Sequence, residues 1–169
     1  MLNRPALKRL AARLVPFLPE WLYRWLLQLT QAHFLVGVTG FVFNPQGEVL
    51  LLHHVFRRRC PWGPPGGWLQ HDEDPVQALR RELREETGLE IRVVCPLYVH
   101  EEDSHLEIIY LATTEGKSFR LSGEILDAAF FDPDAIPHPL QRHHEGVLPQ
   151  AVEAWRALRA SGNKAEDGP

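Results

Sequence analysis

The sequence predicts an α+β fold, a mixed β-sheet sandwiched between helices and preceded by one or two N-terminal amphipathic helices. Three observations carry that prediction. Apolar residues recur at three/four spacing near both ends and in the middle of the chain, the mark of helices packed on one side. Between them lie runs rich in Val, Leu, Ile and Phe bounded by turn residues, the mark of strands. Helical and strand segments alternate irregularly and without an internal repeat, which points to a mixed sheet. At 169 residues the chain suits one ordinary domain and can bury a core without covalent staples.

The first 32 residues stand apart. Arg4, Lys8, Arg9, Arg13 and Arg24 face a single acid, Glu20, so this segment is basic while the remainder is acidic. Leu7, Leu10 and Leu14, then Trp21, Leu22, Trp25, Leu26 and Leu29, fall at helical spacing, and Pro16 and Pro19 divide them into helices of about 5–15 and 20–31. Three readings fit such a segment: packing on the domain or on a second subunit, contact with an anionic membrane surface through Trp beside Arg, or disorder. A homodimer built on these helices is the expected assembly.

From residue 33 the pattern changes. Phe34–Phe43 and Glu48–Phe56 read as strands joined at the turn Asn44-Pro45-Gln46-Gly47, a hairpin. A loop rich in Pro and Gly runs from Arg57 to Gly67. Asp74-Pro75 supplies an N-cap and a first-turn proline, and Gly88 a C-terminal stop, for a helix over Pro75–Thr87. Strands follow at Leu89–His100, His105–Thr113 and Ile125–Phe131. A last helix near Val147–Ala160 presents Val147, Val152, Trp155 and Leu158, and a polar tail, Ser161–Pro169, is expected to be mobile. The expected division is thus an extension over 1–32, a domain over 33–160 and a tail over 161–169.

Composition excludes several classes. With 44% hydrophobic and 24% charged residues the chain is not generally disordered, and a net charge of −4 with a pI near 6.1 argues against a stable nucleic-acid partner. The only cysteines, Cys60 and Cys95, lie in no CxxC spacing, so neither a disulfide framework nor a zinc knuckle is expected, and a cytoplasmic setting is the simplest. No apolar run reaches the ~18 residues of a membrane span.

The stretch GWLQHDEDPVQALRRELREETGL, Gly67 to Leu89, carries the chemistry. On its helix Glu82, Glu85 and Glu86 lie at i, i+3 and i+4, within a sector about 100° wide, while Val76, Leu79 and Leu83 occupy a neighbouring sector suited to a core. Three carboxylates on one face repel one another, and a hard divalent cation removes the conflict. Mg²⁺ in particular shares its coordination with substrate phosphates, so the arrangement suits metal-assisted attack on a phosphate ester or anhydride. The plainer reading is a solvated Glu/Arg face laced by pairs from Arg80, Arg81 and Arg84.

The wider spacing separates these readings. Gly67, five residues, Glu73, seven residues, then Arg81-Glu82-Leu83-Arg84-Glu85-Glu86-Thr87-Gly88-Leu89 matches a complete Nudix box, a coincidence expected on the order of once in ten million chains of this length at average composition. The chain therefore resembles the Nudix hydrolases over about residues 34–160, with Pro65-Gly66-Gly67 resembling the usual lead-in. The resemblance implies an α/β/α sandwich and hydrolysis of a pyrophosphate linkage in a nucleoside diphosphate joined to another group X. It implies Mg²⁺ or Mn²⁺ as cofactor, held by Glu82, Glu86 and Glu85 with the Gly67 carbonyl. Arg81 would orient a box glutamate and Glu73 support the loop. The general base varies in this family, and Glu101, Glu102, Asp103 and Glu124 are candidates, of which Glu124 is favoured. The sequence departs from the common pattern at Asp72, where many relatives have glycine, and at Gln70, where an acid is frequent; Asp72 is expected at positive φ.

Other residues admit two readings each. Arg57, Arg58 and Arg59 either bind substrate phosphates or are solvated. Trp62 and Trp68 either stack on a nucleobase or cover a core edge. His138, His143 and His144 suggest a second metal site that no HxxxH or HExxH spacing supports. The marks of the NADH, ADP-ribose, diadenosine-polyphosphate and coenzyme A subfamilies are absent. Nucleoside triphosphates, modified nucleotides and nucleotide sugars or alcohols remain as the small-molecule substrate. A nucleotide-sensing module without turnover and an RNA 5′-end pyrophosphohydrolase are the alternatives.

Overall fold

Every residue of the central strand from Gly37 to Phe43 is buried, which explains why its sequence is apolar on both alternating faces. The computed structural model describes residues 18–137 and 139–166, with side chains as far as Ser161. Its elements in chain order are α1 (Glu20–Thr30), β1 (Leu35–Phe43), β2 (Val49–His54), β3 (Trp62–Gly63), β4 (Gly66–Trp68), α2 (Pro75–Thr87), β5 (Arg92–Glu102), β6 (His105–Thr113), β7 (Ile125–Phe131) and α3 (Arg142–Glu166). Two compact units divide at residues 34 and 35. In the first, α1 follows Pro19, whose carbonyl accepts from the Leu22 and Tyr23 amides at 3.0 and 3.1 Å. The helix expected at 5–15 lies outside the described residues, as does His138.

The second unit is the sandwich. Its sheet runs β3-β2-β1-β6-β5, with β4 also paired to β1 and β7 to β2. Among the described residues only β1 and β6 pair in parallel, from Leu35↔His105 to Phe43↔Thr113; the other ladders are antiparallel. Alternation along the strands divides the core in two. Val38, Val42, Leu50 and Leu52 pack against Ala78, Leu79 and Leu83 of α2. Phe41, Phe43, Leu51, Ile109 and Leu111 pack against Val147, Leu148 and Ala151 of α3. Helix, sheet and helix are therefore three layers, the predicted fold.

The hairpin differs from its expected form. Its turn is as read: Asn44 Oδ1 accepts from the Gln46 and Glu48 amides at 3.0 and 2.9 Å, and Gly47 sits at φ 90°. Beyond Phe43↔Val49, however, β1 and β2 part. The edge of β1 is taken instead by β4, which the sequence reading left within the loop, while β2 pairs with β3 and β7. β5 begins later than expected and carries bulges around Cys95 and Pro96, tolerable because β5 is an edge strand. The last helix is longer at both ends than Val147–Ala160 and takes in positions 161–166, read from sequence as tail.

Leu79 joins α2 to the sheet, fully buried over Gly40, where an added Cβ would meet its methyl groups at 3.2 and 3.3 Å. Leu79→Ala is expected to destabilise the fold by about 2–5 kcal/mol in urea denaturation, the range for a buried leucine leaving a cavity. A loss below about 1 kcal/mol contradicts this packing.

Candidate active site

Local chemistry sets both ends of α2. Asp74 is its N-cap, accepting from the Val76 and Gln77 amides at 2.9 and 3.2 Å. Pro75 occupies the first turn, and Gly88 closes the helix at φ 73° with its amide bonded to the Arg84 carbonyl. With Ala78, Leu79 and Leu83 buried, Glu82 and Glu86 stand at the edge of the packed face, partly buried, and Glu85 projects to solvent.

One guanidinium ties this helix to the loop before it. Arg81 Nε and Nη2 donate to Glu73 Oε1 and Oε2 at 2.8 and 3.0 Å, a two-pronged pair. Its Nη2 also reaches the Trp68 carbonyl at 3.1 Å, and Nη1 reaches Glu82 Oε1 at 2.8 Å and Glu85 Oε2 at 3.3 Å. The pairing holds the Glu73 carboxyl below the usual carboxylate range, helped by the Gln70 amide. Both Glu73 oxygens are engaged, so Glu73 braces the loop. Asp72 has φ 59°, the positive value expected of it.

Glu82 and Glu86 are a different case. The Glu82 carboxylate lies against the Gly67 α-carbon in the space a Cβ would fill, so a side chain at 67 would displace that carboxylate. Burial raises the Glu82 pKa against the hydrogen bond and charge of Arg81. Burial likewise pushes Glu86 up to about 7, joined by the negative charges of Glu82 and Glu124 and opposed by the Gly66 amide and Arg57. Glu86 Oε2 is buried without a hydrogen-bond partner. A partnerless carboxylate oxygen beside a second half-buried carboxylate is a cation site in its chemistry, and the donor set is all oxygen, as a hard divalent ion requires.

The remaining sequence candidates separate. Glu124 acts on Glu86 across the loop before β7, while Glu102 and Asp103 lie at the β5–β6 turn on a cavity wall. Arg57 is partly buried, feels the charges of both Glu86 and Glu107, and carries a buried Nη1 with no partner; Arg58 and Arg59 are exposed. Trp68 is 56% exposed and lines the cavity with His105 beside it. Trp62 instead stacks on His53 and meets Phe131 edge-on, covering the core, and it does not line the cavity.

That cavity, of about 440 Å³, lies across β4 from the glutamates. Gly66, Gly67 and Arg57 are the wall the two regions share. Its far wall holds Glu107 and His143, which the sequence reading did not join. The available signal was an acid, Glu107, in the otherwise apolar strand face that continues to Ile109 and Leu111. Burial would raise the Glu107 pKa, yet His143, His144 and Thr39 beside it hold it well below the carboxylate range.

Fold and site together define a class, and the comparisons with known proteins agree. The model of the NUDIX domain matches residues 33–151, and the chain belongs to that family. It is 33% identical over 112 residues to the human protein named 8-oxo-dGDP phosphatase NUDT18, a match covering 63% of this chain and 35% of that one. The chain thus spans about a third of the length of that curated relative. A shorter stretch of 54 residues, 32% of this chain and 24% of the other, is 44% identical to an RNA pyrophosphohydrolase of Xanthomonas campestris. Among solved structures, a NUDIX hydrolase from Nitrosomonas europaea superimposes with a TM-score of 0.66 at 21% identity, covering 73% of this chain and 72% of that one. That last likeness concerns the fold.

The state of Glu86 has a measurable consequence. In the metal-free protein the folded state keeps a proton on Glu86 that the unfolded chain releases between pH 4.5 and about 7, so this group lowers stability as pH rises through that window. Relative to Glu86→Gln, the wild type is expected to lose on the order of 2–3 kcal/mol between pH 4.5 and 7.5 in urea denaturation with chelator present. Parallel pH profiles for the two proteins contradict the burial of this carboxylate.

Proposed function

We propose that the protein is a divalent-metal-dependent pyrophosphohydrolase acting on a small nucleotide, a nucleoside diphosphate joined to a further group. The observation that carries this reading is the Glu86 carboxylate, largely buried beside Glu82 with one oxygen unpartnered, where burial pushes its pKa up to about 7. Glu82 and Glu86, with Glu85 at the solvent edge and Gly67 adjoining, would hold Mg²⁺ or Mn²⁺. When bound there, such an ion neutralises phosphate charge and lowers the pKa of water. Arg81 keeps one Glu82 oxygen turned toward itself and leaves the other for the ion. Glu124 is the group that takes the proton of the attacking water. That water adds to a phosphorus atom, and the anhydride bond to the second phosphate breaks.

The cavity supplies recognition in this reading. Arg57, with a free buried donor, binds phosphate oxygens, and the exposed ring of Trp68 stacks on the base. An oxidised or otherwise modified nucleotide is the substrate class favoured here, supported by the name of the human relative and by the missing marks of other subfamilies. A cytoplasmic location accords with Cys60 and Cys95 being free, and no helix among the described residues is long and apolar enough to cross a membrane.

Phosphate or pyrophosphate release from a nucleotide panel tests the proposal. The panel includes canonical and 8-oxo nucleoside di- and triphosphates, nucleotide sugars, CDP-alcohols and 5′-triphosphate RNA. Turnover is expected only with Mg²⁺ or Mn²⁺, and Glu86→Gln or Glu82→Gln should lower it at least about a hundredfold while the protein stays folded. Undiminished turnover in both variants, or none in a folded wild type that binds nucleotide, rejects the reading, and the second result favours a sensing module. Arg57→Ala is expected to raise KM about tenfold or more, since a charge-assisted contact to phosphate contributes about 1.5–3 kcal/mol. An unchanged KM removes Arg57 from the phosphate contacts.

A further inference from the structure

The sheet face opposite α2 carries a polar cluster that the proposed hydrolysis does not use. Glu107 projects from β6 toward the first turn of α3, where His143 and His144 are adjacent. Glu107 Oε2 lies 2.7 Å from His143 Nε2, and Glu107 Oε1 lies 3.1 Å from His144 Nε2. Two imidazole nitrogens thus converge on one carboxylate, and one donor atom from each residue falls within 4.8 Å of the others. His144 is almost wholly buried, 1% exposed, and Glu107 and His143 side chains are about a fifth exposed, opening on the cavity.

Hydrogen bonding alone leaves this cluster incomplete. His143 Nε2 lies 2.7 Å from Glu107 as an ion pair without meeting the geometry of a hydrogen bond, and His144 Nδ1 is buried without a partner. Each of the three residues offers one donor atom to a common centre. The surroundings fix the set: Thr39 Oγ1 donates to Glu107 Oε1, and the His100 ring stacks on His143 with centroids 4.3 Å apart and planes within 10°. Outer partners of this kind hold metal ligands in orientation. Around an ion with bonds of 2.0–2.1 Å, tetrahedral donors stand roughly 3.3 Å apart, and the Glu107 oxygens lie 2.7 and 3.1 Å from the two imidazole nitrogens.

We propose that Glu107, His143 and His144 form a second metal site, for a borderline transition-metal ion of the zinc class, distinct from the all-oxygen site of the box glutamates. Two imidazoles and a carboxylate are a zinc donor set, whereas Mg²⁺ disfavours nitrogen. Three protein ligands leave a fourth position, and the exposed sides of Glu107 and His143 direct it into the cavity that holds Trp68 and Arg57. Position along the chain hid the part of Glu107, which lies 36 residues from His143 and meets it only because β6 lies beside β1 under α3.

The test uses the full chain and does not depend on hydrolysis. Co²⁺, read by its visible ligand-field bands, is titrated into wild type, into Glu82→Gln/Glu86→Gln and into His143→Ala. One equivalent giving intense tetrahedral bands is expected in the first two proteins. In His143→Ala the bands should vanish and the affinity fall about a hundredfold or more, because even changes to outer partners cost 10–100-fold. Bands that persist in His143→Ala, or are lost in the box variant, overturn the assignment. Zinc-edge X-ray absorption on the wild type with one equivalent of Zn²⁺ needs no variant to fold: two imidazoles in the first coordination sphere support the site, and an oxygen-only sphere overturns it.

Discussion

The Arg81 guanidinium is the interaction on which the site's geometry depends. It spends its donors on Glu73, Glu82, Glu85 and the Trp68 carbonyl, so one side chain connects the glycine loop, the turn before α2 and the helix itself. A lysine would match the charge but not the fork. Without such a brace, the three glutamates on one helical face would repel one another and the turn before α2 would lose its side-chain tie to the helix. With it, Glu73 is fully satisfied, Glu82 is half satisfied and Glu86 is left without a partner for one oxygen. This graded satisfaction leaves free the carboxylate oxygens that the proposed cation site would use.

The sandwich supports that arrangement from both sides. Leu79 and Leu83 anchor α2 on one face of β1, and the absence of a side chain at Gly66 and Gly67 lets β4 lie close to β1 while Glu82 fills the space above Gly67. The same glycines form the wall between the glutamates and the cavity beneath Trp68. In the proposed reading, chemistry and recognition are joined through a stretch of bare backbone, with Arg57 feeling the charge of Glu86 on one side and of Glu107 on the other.

Much of this was legible in the sequence because it is local. Asp74, Pro75 and Gly88 mark the ends of α2 to the residue, and the spacing from Gly67 to Leu89 names the family. Asp72 could be assigned its positive φ for the same reason. What was not legible depends on strands meeting at a distance. β3 and β4 have two and three residues, too few to show a period, and sit among prolines and glycines that read as loop. The parting of β1 from β2 follows from β4 inserting at that edge. Trp62 and Trp68 look alike in sequence, six residues apart, yet β3 sets one on the core and β4 turns the other to the cavity. Glu107 was a single discordant residue in an apolar strand, and its meaning required His143 and His144 to be placed opposite it.

The most direct test of the central claim is Mn²⁺ affinity, followed by loss of the free-ion EPR signal, in wild type and in Arg81→Lys. Lysine preserves the positive charge and removes the fork, so the comparison isolates geometry from electrostatics. If Arg81 holds the carboxylates in register, Arg81→Lys should bind Mn²⁺ at least about tenfold more weakly while its thermal unfolding changes little. Equal affinity in the two proteins would contradict the account, because the glutamates would then find their positions without the guanidinium.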